Sequence, residues 1–320
     1  MSNRDFLFNY QPAKNGLYPA VPFNTTKNKD MEGYWIRDNY WIWRTNIGNN
    51  KFGTAIKNIF DAYKDLIKIG KVFPVKYDKI PYIQIKEWSN FQLDAYANML
   101  EVLAQHREKE KVKEMMKYVL KLYPKKESGI WEEEKKYNPY SFACLARAFR
   151  KVDELDIFDS KALASRFENI ALTLVKGGEP DLQNLLLPLM TKQFFKHRQE
   201  IVAETLPLMG EHGVKRYEGD RWSGVERDLE SEPEWTLGYL AMKHYMPMFP
   251  VAGGTVGEKA EGYEDLENGV PESFIDGEPN ENQPLIWAEA LAYGSFEQVV
   301  KWKTDLTEGN VLETSFGDGL

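Results

Sequence analysis

The sequence has few residues that bind metal ions or form covalent crosslinks. Cysteine occurs once, as Cys144, so no intrachain disulfide can form, and its Phe-Ala-Cys-Leu context predicts a small core residue. The four histidines are scattered and show no spacing typical of a zinc site: His106, His197, His212 and His244. We therefore expect no structural metal, and the lone cysteine predicts a reducing compartment and a cytoplasmic protein.

Long apolar runs and an excess of basic residues are also missing. No window reaches the roughly 18 apolar residues that a membrane span needs, and residues 1–16 lack the basic and apolar regions of a secretion signal. The 49 acidic residues outnumber the 41 Lys and Arg residues, giving a net charge of −8. Because nucleic acids and anionic membranes are bound mainly by clustered cations, we expect neither as a partner and favour a neutral ligand.

Common catalytic and phosphate-binding motifs are missing too. The glycines form neither a GxGxxG nor a Walker loop, and there is no Gly-x-Ser-x-Gly elbow. Aromatic residues are instead abundant, with 9 Trp, 17 Tyr and 17 Phe, many of them beside Gly, Asn, Asp or Arg. Such surfaces stack against sugars, but aromatic residues also fill large cores, so this composition only modestly favours a carbohydrate site.

Hydrophobic periodicity along most of the chain is helical. Residues 52–69 and 89–106 each place apolar side chains on one stripe, and further segments read the same way. These further segments are 111–122, 139–152, 160–175, 182–189, 193–206, 232–244 and 285–302. Strand signals are short, the best being residues 72–75 and 82–85. We expect an all-α chain in one domain, residues 1–320, with helix pairs closed into a ring and loops gathered at one end.

Two aromatic segments in the first hundred residues carry charged side chains. Arg37 and Asp38 lie between aromatic clusters and offer a donor and an acceptor to hydroxyl groups, although an exposed arginine with a helix cap at Asp38 or Asn39 is the simpler interpretation. Trp88 precedes a predicted helix, where its ring can project into a cavity. Asp94, in the first turns of that helix, more simply satisfies neighbouring donors.

An acidic loop follows at residues 129–134, where a glycine and Trp131 precede Glu132, Glu133 and Glu134. Clustered carboxyls raise the pKa of at least one member, which suits a general acid, although a solvated acidic run balanced by lysines is the competing interpretation.

Two later loops offer further candidates. Residues 213–220 include Arg216 and Tyr217 in a glycine-rich loop, and residues 231–236 read as a capped helix start. Glu272 follows a proline, and Trp287 begins the last predicted helical segment.

Taken in order, these segments resemble glycoside hydrolase family 15, the glucoamylase-type enzymes, which the phosphorylase kinase α and β subunits also resemble. The matching motifs are Trp35-Ile36-Arg37-Asp38, Phe91-Gln92-Leu93-Asp94, Gly129-Ile130-Trp131-Glu132, Arg216-Tyr217 with Gly219-Asp220, Pro271-Glu272, and Pro284-Leu285-x-Trp287. The ordered set covers about residues 15 to 303. The resemblance implies an (α/α)6 barrel, a six-hairpin toroid, and no metal or organic cofactor.

The resemblance also implies an activity: inverting hydrolysis that releases glucose from the non-reducing ends of α-glucan oligosaccharides. It assigns Glu132 as general acid, held protonated by burial against Trp131 and by neighbouring charge, and Glu272 as general base. Substrate-binding positions are implied at Arg37, Asp38, Trp88, Trp131, Glu133, Arg216 and Trp287.

Alternatives remain open at this level. Glu133 and Glu134 compete with Glu132 as the acid, and Glu264, Glu267, Glu278 and Glu281 compete with Glu272 as the base. The runner-up function is a catalytically silent sugar-binding or regulatory domain of the kinase-subunit type. A helical scaffold for protein partners is the third; it predicts an exposed apolar groove instead of a polar aromatic pocket. Linkage specificity and oligomeric state are not predicted.

Overall fold

A computed structural model describes residues 12–14, 16–24, 26–27, 29–45, 51–79, 83–84, 91–132, 135–222 and 231–314. Trp88, Glu133 and Glu134 lie outside the described residues. The α-helices are α1 Ile36–Arg44, α2 Phe52–Ala62, α3 Lys64–Ile69, α4 Leu93–Gln105, α5 Lys109–Leu122, α6 Pro139–Asp153, α7 Lys161–Gly177, α8 Lys192–Lys196, α9 Arg198–Thr205, α10 Leu237–Met242, α11 Val256–Glu264, α12 Ile286–Tyr293 and α13 Glu297–Thr314. Three 3-10 helices span Lys29–Glu32, Leu182–Leu189 and Leu206–Leu208.

Six of these segments pack side by side and close a ring. Around the ring, α1 contacts α4, α4 contacts α6, and α6 contacts the 3-10 helix Leu182–Leu189; that helix contacts α10, α10 contacts α12, and α12 returns to α1. Several members are followed in sequence by a helix that packs on them, as α5 packs on α4, α7 on α6 and α11 on α10. The described chain is therefore an all-α (α/α)6 barrel, as the resemblance implies.

Burial separates the inner helices from the outer ones. In α4 every residue from Leu93 to Ala104 is buried, since this helix has barrel neighbours on all sides. In α5 the buried positions recur at helical spacing and the rest of the helix is charged, so only one stripe packs inward. A helix that is apolar all round belongs inside a fold, and this difference places α4 in the inner layer.

Short strands lie between the helices. They are β1 Tyr34–Trp35, β2 Lys76–Lys79, β3 Ile83–Gln84, β4 Val214–Lys215, β5 Glu234–Trp235, β6 Pro250–Val251, β7 Gly254–Thr255, β8 Ser273–Ile275 and β9 Glu278–Pro279. β1 pairs with β2 in antiparallel register, Trp35 opposite Lys76. β5 pairs with β8, Trp235 opposite Ser273. These pairings fix the side chains that border the mouth of the barrel.

Several predicted helix and strand boundaries are wrong. The segment predicted as a helix from residue 232 is extended at Glu234–Trp235, because β5 pairs there with β4 and β8, and α10 begins only at Leu237. Residues 72–75 are not a strand; the strand begins at Lys76. Residues 52–69 and 285–302 each divide into two helices. The cap of α1 is Trp35, so neither Asp38 nor Asn39 caps that helix.

None of the helices formed by described residues is long and apolar enough to cross a membrane.

Candidate active site

A cavity of about 340 Å³ opens where the inner helices begin. Its polar lining residues come from five separate parts of the chain, and aromatic rings form much of its wall. The lining consists of Ala20, Met31, Trp35, Arg37, Asp38, Lys76, Ile130, Trp131, Glu132, Arg216, Trp222, Trp235, Glu272, Leu285 and Trp287. Glu132 and Glu272 thus face one space although 140 positions separate them in sequence.

Glu132 is held from one side by donors. Its Oε1 accepts hydrogen bonds from Trp35 Nε1 at 2.8 Å and from Gln92 Nε2 at 2.7 Å, and Arg37 Nη2 lies 3.6 Å away. All three contacts are made to Oε1, so the other oxygen, Oε2, is the one directed elsewhere. These contacts fix the orientation of the carboxyl group; Glu133 and Glu134 lie outside the described residues.

Arg37 lies at the centre of a cluster that contains more carboxyls than cations. Its guanidinium lies 3.6 Å from Asp94, 3.6 Å from Glu132 and 4.0 Å from Asp38 in N–O distance. Burial raises the pKa of Asp38 to about 7 against the opposing effect of Arg37, and burial also raises the pKa of Asp94. A cluster of three carboxyls around one guanidinium therefore keeps a proton near neutral pH.

The loop that carries Glu132 is fastened by a buried carboxyl, Glu127. Its Oε2 accepts from the backbone N–H of Gly129 at 2.7 Å and of Leu93 at 3.3 Å, and its Oε1 accepts from Asn138 and Ser141. Burial raises the pKa of Glu127 to about 7. These bonds join the loop to the starts of α4 and α6.

Two residues of this loop have left-handed backbone. Gly129 has φ +64°, and Glu132 itself has φ +62°, a conformation that costs free energy for a residue with a side chain. The strain is located at the residue whose carboxyl faces the cavity.

Arg216 forms another part of the wall, together with aromatic rings that surround its guanidinium. Its guanidinium makes a two-pronged ion pair with Asp220 and lies 4.9 Å from the ring centre of Trp235 and 5.4 Å from that of Trp131. The Trp131 indole is fixed in turn by Asp181, whose Oδ1 accepts its Nε1–H at 2.8 Å. The wall is therefore rigid and carries flat rings beside a cation, an arrangement suited to a sugar ring.

Glu272 is the residue just before β8, and its side chain lines the cavity. Its Oε2 accepts from Asn282 Nδ2 at 2.7 Å and from Asn280 Nδ2 at 3.3 Å. Burial raises the pKa of Glu272 to about 7, while the two amides and Arg216 act in the opposite direction. Among the described carboxylates of residues 264–281, Glu272 is the one that lines the cavity; Glu264 instead pairs with Lys243.

The structure brings seven of the nine predicted site residues into this cavity. They are Arg37, Asp38, Trp131, Glu132, Arg216, Glu272 and Trp287. Trp88 and Glu133 lie outside the described residues. Trp35, Trp131 and Trp287 surround one polar space, which disagrees with the apolar groove expected of a protein scaffold.

Sequence reasoning missed four contributors. Lys76 is buried, with its ammonium 4.1 Å from the ring centre of Trp35, and Trp222 and Trp235 line the wall. Asp181 fixes Trp131 from outside the cavity. Trp235 could have been found from its position in an aromatic, glycine-flanked loop, whereas Lys76 enters through strand pairing that no local pattern indicates. The described residues hold no group of three or more His, Cys, Asp and Glu side chains able to bind a metal ion.

Part of the chain matches a known protein family. Residues 75–233, about half of the chain, match the model of glycosyl hydrolases family 15. No curated protein matches the chain. The residues matched include α4 to α9 and the Glu132 loop.

Solved structures resemble the fold over most of the chain. A glycosidase variant in complex with glucose has TM-score 0.64 and 14% identity, covering 91% of this chain and 93% of that one. Glucoamylase from Saccharomycopsis fibuligera at atomic resolution has TM-score 0.65 and 13% identity, covering 96% and 94%. A bacterial glucoamylase complexed with acarbose has TM-score 0.55 and 14% identity, covering 82% of this chain and 48% of that one.

At these identities the likeness establishes the fold, and the family model supplies the class of enzyme. Residues 75–233 therefore form a glycosyl hydrolases family 15 domain, and this chain is a glycoside hydrolase.

Proposed function

We propose that the protein is an inverting, exo-acting α-glucoside hydrolase. It releases glucose from the non-reducing ends of malto-, isomalto- or trehalose-type oligosaccharides, with Glu132 as general acid and Glu272 as general base. The observation that carries the proposal is the convergence of these two carboxyls on one 340 Å³ cavity from distant parts of the chain. Inverting hydrolysis needs two carboxyls on opposite faces of one sugar ring, about 6.5–9.5 Å apart.

Glu132 delivers its proton through Oε2. Donors from Trp35 and Gln92 hold Oε1, so the carboxyl cannot rotate freely and Oε2 faces the leaving oxygen. As the general acid, Glu132 carries the proton when the glucoside binds. Protonation of the glycosidic oxygen breaks its bond to the anomeric carbon, and the leaving sugar departs as a neutral alcohol.

Glu272 takes a proton from the attacking water. The amide groups of Asn280 and Asn282 both donate hydrogen bonds to Oε2. Oε1 is therefore the oxygen that accepts the proton. The hydroxyl of the water bonds to the anomeric carbon on the face opposite the leaving oxygen, so the first product is β-glucose. Because burial places the pKa of Glu272 at about 7, the base is ionised above that pH.

Arg37, Asp38 and Arg216 bind the hydroxyls of the terminal glucose. Within the described residues, Arg37 Nε and Nη1 make no hydrogen bond, although Asp38 and Asp94 lie 4.0 Å and 3.6 Å from them, so a sugar hydroxyl can accept from them. Trp131 and Trp287 supply apolar faces, and we propose Trp88 and Glu133 as further contacts. The complexes of related structures with glucose and with acarbose support a glucose-sized subsite.

We further propose that residues 1–320 act as one catalytic domain without nucleic-acid or membrane partners. The closed ring of inner helices supports one domain, since its first and last members, α1 and α12, contact each other. The cytoplasmic location stays a prediction, supported by a single cysteine that is buried.

A substrate panel tests the proposal. Purified protein is incubated with maltose, maltotriose, isomaltose, panose, trehalose and kojibiose while proton NMR follows the anomer formed first. We expect β-glucose from at least one sugar, and that sugar identifies the linkage. First formation of α-glucose would contradict inversion. Thermal stabilisation by a sugar without any glucose release would contradict hydrolysis and favour a sugar-sensing domain.

A further inference from the structure

A second cavity, of about 590 Å³, lies at the opposite end of the helix ring. The sugar cavity is lined from the first turns of inner helices, as Arg37 in α1 and Trp287 in α12 show. The second cavity is lined from the later turns of α4 and α6, and from Thr191, which follows the 3-10 helix Leu182–Leu189. We propose that this second cavity binds a small phosphorylated anion.

The charge of the lining favours an anion. Six cationic residues face the cavity: Arg147, Arg150, Lys151, Lys192, Lys196 and Lys301. Three acidic residues, Glu101, Glu154 and Asp305, share it. Glu168 pairs with Arg150 from outside the lining, so two positive charges remain in excess, in a chain whose net charge is −8. A phosphoryl group carries close to two negative charges and several acceptor oxygens, so it matches the lining better than a neutral sugar does.

Two of the cations form no ion pair within 4.0 Å among the described residues, although Lys301 is close enough to Asp305 to help lower the pKa of that carboxyl. Arg147 pairs with Glu101, Arg150 with Glu168, Lys151 with Glu154 and Lys192 with Asp305. No such pair is formed by Lys196 or Lys301, which stand on α8 and α13 at the rim. These two ammonium groups are therefore available to an incoming anion.

A buried hydroxyl at the cavity wall also lacks a partner. Thr191 is 2% exposed, and its Oγ1 makes no hydrogen bond within the described part of the chain. Leaving a buried hydroxyl unpaired costs free energy. An anion that reaches Oγ1 would accept a hydrogen bond from it. The wall beside it is preorganised, since Arg147 Nη1 donates to Met190 O and to Gln298 Oε1, both at 2.9 Å.

Carbonyl groups at the C-terminal ends of helices repel anions, but near this cavity two of these carbonyls accept hydrogen bonds from arginines. The carbonyls of Leu189 and Met190, at the end of the 3-10 helix, accept from Arg44 and Arg147. The half-buried indole of Trp302 completes the wall with a flat ring, so a ligand larger than phosphate alone can be accommodated.

Calorimetric titration of the intact protein tests the proposal. The probes are inorganic phosphate, pyrophosphate and glucose 6-phosphate, with sodium chloride at matched ionic strength as the reference and saturating glucose added throughout to occupy the proposed sugar cavity. We expect at least one phosphorylated probe to bind in the presence of glucose and sodium chloride to give no binding. Tighter binding of glucose 6-phosphate than of phosphate or pyrophosphate would identify a sugar phosphate as the occupant. Equal binding of the three probes would identify an inorganic phosphate as the occupant. Both results support the site. Absence of binding by all three probes would overturn it.

Matched variants place the binding in this cavity. Lys196→Gln with Lys301→Gln should weaken the affinity about tenfold, because two charge-assisted contacts are lost. Lys64→Gln with Lys68→Gln makes the same charge change on exposed lysines of α3 and should leave the affinity unchanged. An equal loss in both double variants, or none in the first, would overturn the assignment. Glucoside hydrolysis should be unchanged in both, which separates this site from the proposed function.

Thr191→Val gives an independent readout. Removal of an unpaired buried hydroxyl should maintain or raise the melting temperature of the free protein, since valine has nearly the same shape. The same change should reduce the rise in melting temperature that the phosphorylated probe produces. An undiminished ligand-induced rise would contradict a role of Thr191 in the site.

Discussion

The indole N–H of Trp35 donates a 2.8 Å hydrogen bond to Oε1 of Glu132, 97 positions away in sequence. Trp35 is the cap of α1, the helix that also carries Arg37 and Asp38 in its first turn. The proposed acid is therefore fixed to the same structural unit that would hold the glucose hydroxyls. Small displacements between acid and substrate are costly in catalysis, so this contact links sugar binding to proton transfer.

Removing that donor should impair protonation selectively. We expect Trp35→Phe to lower kcat on a natural glucoside about tenfold, because Glu132 loses an orienting hydrogen bond while most of the ring is retained. Hydrolysis of α-glucosyl fluoride, whose leaving group needs no proton, should change much less. Steady-state kinetics on both substrates measure the difference. Equal losses on both would show that Trp35 acts on sugar binding rather than through Glu132.

The left-handed glycine of the acid loop gives a second prediction. A Cβ on Gly129, at φ +64°, would lie 2.6 Å from Asn138 Nδ2, whereas a Cβ on Gly219, at φ +85°, would meet nothing within 4 Å. Gly219→Ala should cost about 1–2 kcal/mol through backbone strain alone. Gly129→Ala should cost more, and should also lower kcat, because Asn138 and Glu127 must shift. Urea unfolding and kinetics measure both; equal costs in stability would contradict the predicted clash.

Activity should rise with pH through the range where Glu272 ionises. Burial places its pKa at about 7, so kcat/KM should fall as the pH drops below that value. Asn282→Leu removes the 2.7 Å hydrogen bond that stabilises the carboxylate of Glu272. This change should shift the acidic limb of the kcat/KM profile upward by about 0.5–1 pH unit.

Thr26→Val is the matched control for that change. Thr26 Oγ1 donates to Asn282 Oδ1 and not to Glu272, so the limb should stay in place. A limb that ignores Asn282→Leu would have to be assigned to another group, such as Asp38.

Stability should fall as the pH rises, and Glu289 contributes to the fall. Burial raises its pKa from 4.5 to about 7, so between those values the folded chain binds this proton more tightly than the unfolded chain does. The stabilising effect is complete below about pH 4.5 and is lost by about pH 7, a change of about 3 kcal/mol.

Glu289→Gln tests this sign. The variant can still accept from the backbone N–H of Val270 but cannot titrate, so its free energy of unfolding should depend less on pH and exceed that of the parent at pH 8. Glu261→Gln, at an exposed position, should leave the slope unchanged. A parent protein that gains stability between pH 5 and 7.5 through Glu289 would contradict the prediction.

The sequence predicts the helices and most of the cavity because both leave local patterns. Amphipathic spacing identifies α5 to α7, and the motifs around Arg37, Glu132 and Glu272 identify residues that converge in space. Asp94 was expected to satisfy neighbouring donors, and it lies 3.6 Å from Arg37.

What the sequence does not reveal depends on pairing between distant segments. Trp235 reads as part of a helix start, yet strand pairing with residues 214 and 273 keeps it extended. Lys76 reaches the cavity because it lies opposite Trp35 in a two-strand register. Glu127, which fastens the acid loop, has no motif of its own; its importance comes from burial and four donors.

The most direct test of the central claim compares Glu132→Gln and Glu272→Gln on maltose, or the best sugar of the panel, and on α-glucosyl fluoride. We expect each variant to fold and to lose at least about a hundredfold in kcat on the sugar, the scale of general acid–base catalysis. Glu132→Gln should retain most of its activity on the fluoride, since no proton is needed for departure, and Glu272→Gln should lose activity on both. Full activity on the sugar in either variant, or the reverse pattern on the fluoride, would contradict the assignment of acid and base.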